Sequence, residues 1–152
     1  MPTFSKCLAT ASVLTMLVLT GCGSSDKGGG GGNAQTFTLG ASTICKSQTA
    51  QLQALPKPTT SAAVGPYLDK LSSLTHANRA KLGNLQPPPD KQAGFVAYLA
   101  ALDAQLAKFD KARAVADAGQ VQQALVMLKA AEPSGRAVKA KAGALGLTDC
   151  AA

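Results

Sequence analysis

Residues 95–109 read Phe-Val-Ala-Tyr-Leu-Ala-Ala-Leu-Asp-Ala-Gln-Leu-Ala-Lys-Phe. Phe95, Leu99, Leu102, Leu106 and Phe109 recur at steps of 4, 3, 4 and 3, which lines them along one face of an α-helix. Asp103, Lys108, Asp110 and Lys111 fall on other faces. Asp90 follows Pro87-Pro88-Pro89 and is placed to cap this helix, and Gly119 is placed to end it.

The same recurrence extends to both sides. A segment from about 41 to 55 carries Ile44, Leu52 and Leu55 and stops at Pro56-Lys57-Pro58. The next begins between Ser61 and Gly65 and carries Val64, Tyr67, Leu68, Leu71, Leu74, Leu82 and Leu85. Pro66 is tolerated there because it falls in or near the first turn, where its missing N–H has no helical partner to lose. The last segment, about 120 to 146, carries Val121, Leu125, Leu128, Val138 and Leu145. Pro133 and Gly135 inside it predict a kink or break near Glu132. Four helices joined by short connections predict an all-α fold, an antiparallel up-down four-helix bundle.

Composition agrees. A chain of 152 residues has room for one small domain. Aromatics are only 4% and Trp is absent, so the core must come mainly from Leu, Ala and Val. Ala loses no side-chain entropy in a helix and favours that class. The net charge of +7 permits an anionic partner such as a membrane surface or an envelope polymer. Basic residues are scattered and not interleaved with aromatics, so base stacking has no platform and nucleic acid is not expected.

Ahead of the helices, residues 1–21 have the form of a signal segment, with Lys6 and then an apolar run from Leu8 to Leu19. That run falls well short of the roughly 20 residues a membrane-spanning helix needs. Its end, Leu19-Thr20-Gly21-Cys22, resembles the lipobox of bacterial lipoproteins. The resemblance implies diacylglycerol on the Cys22 sulfur, cleavage just before it, and acylation of the new amino terminus. Each buried methylene adds roughly 0.8 kcal/mol, so two or more chains make a durable anchor. Residues 22–35, with Gly28–Gly32 at their centre, then read as the lipidated cysteine and a flexible tether reaching about 20 Å. Residues 36–152 are left as the bundle domain.

On that resemblance Cys7 departs with the leader and Cys22 is taken by lipid, which leaves Cys45 and Cys150. In an exported protein they are expected to pair, the alternative being two buried free thiols. Such a bridge closes a loop of about 100 residues, worth roughly 4.7 kcal/mol in the chain-entropy model. Bridged Cα atoms lie within about 7 Å. The start of the first helix and the end of the last should therefore share one end of the molecule, which an even number of antiparallel helices satisfies.

The folded half also resembles a family of small alanine-rich lipoprotein domains of actinobacterial type. The likeness lies in Ile44-Cys45 opening the first helix, Leu55-Pro56 closing it, Leu85 followed by prolines and Asp90, and the tail Leu145-Gly146-Leu147-Thr148-Asp149-Cys150-Ala151. It implies the bundle and the bridge, and no catalytic assignment. Pro133 and Gly135 depart from the continuous last helix expected there.

Chemistry has few footholds. A di-iron bundle needs several Glu and a Glu-x-x-His pair, while this chain has one Glu, Glu132, and one His, His76. No Cys-x-x-Cys-His supports haem attachment, and Cys45, Cys150, His76 and Asp149 lack regular zinc spacing. No cofactor is expected. His76 with Ser72 reads more cheaply as two polar residues on an exposed face than as a nucleophile and its base. Asp103, Asp110 and Asp117 form a heptad series about 10 Å apart along the axis, too far for an acid/base dyad, and read as a solvated stripe. Lys129, Glu132, Arg136 and Lys139 lie along one stripe of the last helix, with Lys141 nearby. The lysines and Arg136 form a candidate patch for anionic envelope polymer or lipid headgroups. The blander reading pairs Glu132 with Arg136 at i, i+4 and turns the stripe to water.

The expectation is a non-enzymatic, lipid-anchored module on the extracytoplasmic face of a bacterial membrane. It would bind an envelope polymer or a protein. The alternative is a small-ligand carrier with a pocket inside the bundle, which a cavity of a few hundred cubic ångströms would favour. An enzyme would need convergent titratable groups in a cleft.

Overall fold

The computed structural model describes residues 33–152; the lipobox, Cys22 and most of the tether lie outside them. The described chain is all-helical, without a strand. Its helices are α1 (Ala34–Gln53), α2 (Val64–Gly83), α3 (Gln92–Asp117), α4 (Val121–Ala144) and the short α5 (Thr148–Ala151). Single 3₁₀ turns at Ser61–Ala63 and Pro89–Lys91 lead into α2 and α3.

The first helix starts earlier than its residue types suggest. Asn33 caps it, its Oδ1 accepting from the Gln35 N–H at 2.8 Å. Three buried residues at four-residue steps, Phe37, Ala41 and Cys45, then form its inner face. Residues 34 and 35, expected in the tether, are therefore helical. Cys45 does not open the helix but lies more than halfway along it.

The third helix is rotated slightly from the expected seam. Phe95 and Leu106 are buried, but Tyr98 is buried in place of Leu99, which is only partly covered, as is Leu102. Asp90 does not cap this helix; it sits in the preceding 3₁₀ turn, and the N-cap position is Lys91 without a side-chain cap. Gly119 does end it, at φ +80°. Its N–H bonds the Ala116 carbonyl and that of Gln120 bonds the Val115 carbonyl, the two bonds of a Schellman closure.

No break interrupts α4, which runs as one helix through Pro133. Pro133 is exposed, so the Lys129 carbonyl that loses its N–H partner faces the wet side of the helix. The inner face is Ala124, Ala131, Val138 and Ala142. Leu125, expected in the seam, is instead 43% exposed. Small residues let α4 approach closely, and α3–α4 is the most extensive helix contact in the molecule.

The pairs between neighbours run in opposite registers. Across α2 and α3 they are Asp69 with Arg113, Ser72 and His76 with Asp110, and Arg79 with Asp103. Across α3 and α4 Lys108 meets Ser134, and the Leu145 side chain, just past α4, lies over Gly94. These two pairs are antiparallel. Extended contacts link α1–α2, α2–α3 and α3–α4, while α1 and α4 are joined through α5, which packs on both.

Two apolar clusters result. One gathers Phe37, Cys45, Leu82, Phe95, Tyr98, Val138, Leu145 and Leu147. Within it Phe37 and Phe95 meet edge-on at 5.0 Å, an arrangement that aligns one ring's positive edge with the other's face. The second is smaller, formed by Val64, Leu68, Ala116 and Ala124, and α1 adds nothing to it.

Candidate functional site

Cys45 and Cys150 are bridged, with Cα atoms 5.1 Å apart and a sequence separation of 105. The geometry differs from the expected one. After α4 the chain turns at Gly146, φ +77°, where Gly146 and Leu147 N–H groups bond the Gly143 and Ala142 carbonyls. It then folds back as α5 to reach the middle of α1. The bridge thus joins a tail to the middle of a helix and not two helix ends. Helix parity cannot be read from it. Beside the bridge the Ser42 hydroxyl donates to Asp149 at 2.5 Å and Lys46 pairs with Asp149 at 3.5 Å. Both hold the Asp149 carboxyl below the usual carboxylate range, the serine bond most.

A groove of about 290 Å³ opens beside the bridge, lined from all four long helices. Tyr98, Leu102, Gln105 and Phe109 of α3 line it, together with Gln48 and Leu52 of α1, Leu71 and Thr75 of α2, and Val138 and Lys139 of α4. A Cβ at Gly135 would meet Gln105 Nε2 at 3.1 Å, so this glycine gives the Gln105 amide its room at the wall. The Tyr98 residue is only 2% exposed. Its hydroxyl makes no hydrogen bond among the described residues and is not among the sealed polar atoms, so it opens on the groove that Tyr98 lines. Burial raises the phenol to about 12, and at neutral pH it keeps its proton and can donate.

Sequence reasoning placed the leucines and phenylalanines of this groove but not Tyr98. The available signal was its alignment with Ala112 and Ala116, whose small side chains turn the buried face toward Tyr98 and away from Leu99.

Of the Asp103/Asp110/Asp117 series, Asp117 is exposed as expected of a solvated stripe, while Asp103 and Asp110 cross to α2. Arg79 donates to both Asp103 oxygens, at 2.7 and 2.8 Å, and holds that carboxyl below its ordinary range. Asp110 takes the Ser72 hydroxyl at 2.7 Å and faces His76 Nε2 at 3.0 Å; the serine bond is the main cause of its lowered pKa. Asp69 and Arg113 stand 3.5 Å apart, an ion pair without a hydrogen bond. Asp69, Asp103 and Asp110 with their partners form a polar ladder between α2 and α3. Ser72, far from being exposed, is 3% accessible. Ser72 and His76 both bind the same carboxylate, whereas a nucleophile relay needs the imidazole between serine and acid. The ladder joins helices.

Lys129, Arg136, Lys139 and Lys141 are all exposed. Glu132 makes no ion pair with Arg136 among the described residues, so the expected i, i+4 pair does not form. Lys141 sits about 200° around the helix from Lys139 and leaves the stripe. Lys139 alone of the four lines the groove. Among the described residues no three His, Cys, Asp or Glu side chains gather to hold a metal, and no helix is long and apolar enough to cross a membrane.

Compared with known proteins, the chain matches no family model, no curated protein and no solved structure.

Proposed function

We propose that the protein is a lipid-anchored, non-enzymatic binding module on the extracytoplasmic face of a bacterial cell membrane. Its helices form an up-down four-helix bundle whose fourth side is closed by α5 and the bridge. The groove beside the bridge supports this reading above any other feature, because it brings Leu52, Leu71, Leu102 and Val138 from all four long helices to one opening of about 290 Å³. That volume is close to the lower end of small-ligand sites and favours carriage of a small molecule over a purely structural role. The lipobox likeness at Leu19–Cys22 supports the anchor. The absence of aromatic interleaving among the basic residues argues against nucleic acid as partner.

Mass spectrometry of material extracted from native membranes tests the anchor. A mature chain beginning at acylated Cys22 is expected, and retention of residues 1–21 would exclude it. Co-purification of a small molecule with the extracted protein, lost on filling the groove by Gly135→Leu, tests the carrier role.

A second reading rests on the exposed, unpaired stripe of Lys129, Arg136 and Lys139, which suits anionic envelope polymer. Changing Lys129, Arg136, Lys139 and Lys141 to Gln in a Cys22→Ser chain should then release it from the envelope. Unchanged retention would remove this role.

A further inference from the structure

Polarity within the groove is not uniform, and the helix registers show how it is sorted. Tyr98, Val138 and Lys139 lie toward the end beside Cys45 and Cys150, the polar Gln48, Thr75 and Gln105 lie at mid-length, and Leu52, Leu71 and Phe109 lie at the other end. From Tyr98 to Phe109 the α3 wall is about 16 Å long, at 1.5 Å per residue. At the polar end the groove presents donors. The Tyr98 hydroxyl has no partner among the described residues and is not sealed from solvent, so it is free to donate into the groove. The Lys139 ammonium stands in no ion pair among the described residues. Asp149, the acidic side chain at this end, is already engaged by Ser42 and Lys46.

Resting on the groove reading above, we propose that the ligand is a small amphiphile with a hydrogen-bond-accepting, anionic head, of which a medium-chain alkyl carboxylate is the simplest. The head accepts from the Tyr98 hydroxyl, with Lys139 at the rim. The alkyl chain runs along Leu102 toward Leu52, Leu71 and Phe109. Apolar side chains at the far end of the groove suit a chain, and two donors at the near end suit the head and set the direction of entry. A phenol that stays protonated at every physiological pH suits this, because it offers a hydrogen bond without adding a competing charge.

The test is isothermal titration calorimetry of the full chain carrying Cys22→Ser with decanoate, decanol and decylamine, each below its micelle-forming concentration. Decanoate is expected to bind tightest and decylamine weakest. Tyr98→Phe should weaken decanoate roughly ten-fold, the scale of a hydrogen bond to a charged group, and leave decanol nearly unchanged. Lys139→Gln should cost two- to three-fold, about the worth of an exposed charge, and remove most of the salt dependence. A thermal melt of Tyr98→Phe matching the parent separates lost recognition from lost folding, and the head-group order in the parent chain stands without any variant. Equal affinity for all three probes would overturn the head assignment while leaving a groove that binds apolar chains. A decanoate preference that survives Tyr98→Phe but disappears with Lys129→Gln/Arg136→Gln would move the site to the outer stripe and also overturn it. Binding of none of the three would defeat both this inference and the groove reading beneath it.

Discussion

The two ends of the molecule are held by different means. At the bridged end α1 contributes Phe37, Ala41 and Cys45 to a cluster that also holds Phe95, Tyr98, Leu82 and Leu147. At the opposite end Val64, Leu68, Ala116 and Ala124 close α2, α3 and α4 on one another, and α1 is absent. Gly65 lies close enough to α3 that a Cβ would meet Asp117 Oδ1 at 3.1 Å. Small residues therefore draw three helices together at one end. Aromatic volume and a covalent tie hold the remaining helix at the other. The contrast bears on the groove: α1 is secured by its first half, by α2 and by the bridge, and Gln48 and Leu52 in its second half line the opening.

The largest expected effect breaks the contrast outright. Cys45→Ser/Cys150→Ser should lower the unfolding free energy by about 4.7 kcal/mol in urea titration, from the entropy of the long loop the bridge closes. Next, Phe37→Ala should cost about 3–5 kcal/mol, since it empties an almost fully enclosed site between α1 and α3. Leu68→Ala in the smaller cluster should cost about 2–3 kcal/mol and leave the α1 contacts intact. Combining Phe37→Ala with loss of the bridge should depart from additivity, because both act on α1.

Acid should sharpen the comparison from the polar side. Asp103, Asp110 and Asp149 all have lowered pKa values, through Arg79, Ser72 and Ser42 respectively. The folded chain thus binds their protons less readily than the unfolded chain. Their contribution is complete above the ordinary Asp value of about 3.9 and is lost as pH falls through the lowered values. Urea midpoints should hold steady from neutral pH to about 5 and fall below 4, and Asp110→Asn should flatten that fall. The smallest effect is expected for Asp103→Asn. Its pair with Arg79 is half-exposed on the Asp side, so the loss should stay below about 1 kcal/mol.

Much of this architecture is legible in the residues. The period of Phe95–Phe109, the proline clusters and Gly119 locate α2, α3 and α4, and the cysteine arithmetic gives the pair that bridges. The early start of α1 escaped because Thr36, Thr38, Gly40, Ser42 and Thr43 are weak helix formers, although Asn33 and the Phe37/Ala41/Cys45 spacing carry the signal. Leu125 drew attention away from Ala124 and Ala131: in an Ala-rich chain the closest-packed face is built of the smallest residues, which hydrophobicity ranks low. The groove was not legible at all, for it depends on how the helices meet. That is decided by the back-turn at Gly146 and by where along α1 the tail is tied. The ladder of Asp103 and Asp110 was hidden for a similar reason, since heptad spacing gives a face of a helix but not its neighbour.

The central claim is that α5 and the bridge, more than direct packing on α4, hold the later part of α1 in place. Amide hydrogen exchange of the oxidised and reduced chain, compared helix by helix, tests it most directly. The account predicts that reduction strips protection from α5 and from residues 41–53 of α1, while α3 and α4 keep theirs. Equal loss in all five helices, or no loss in α1, would contradict it.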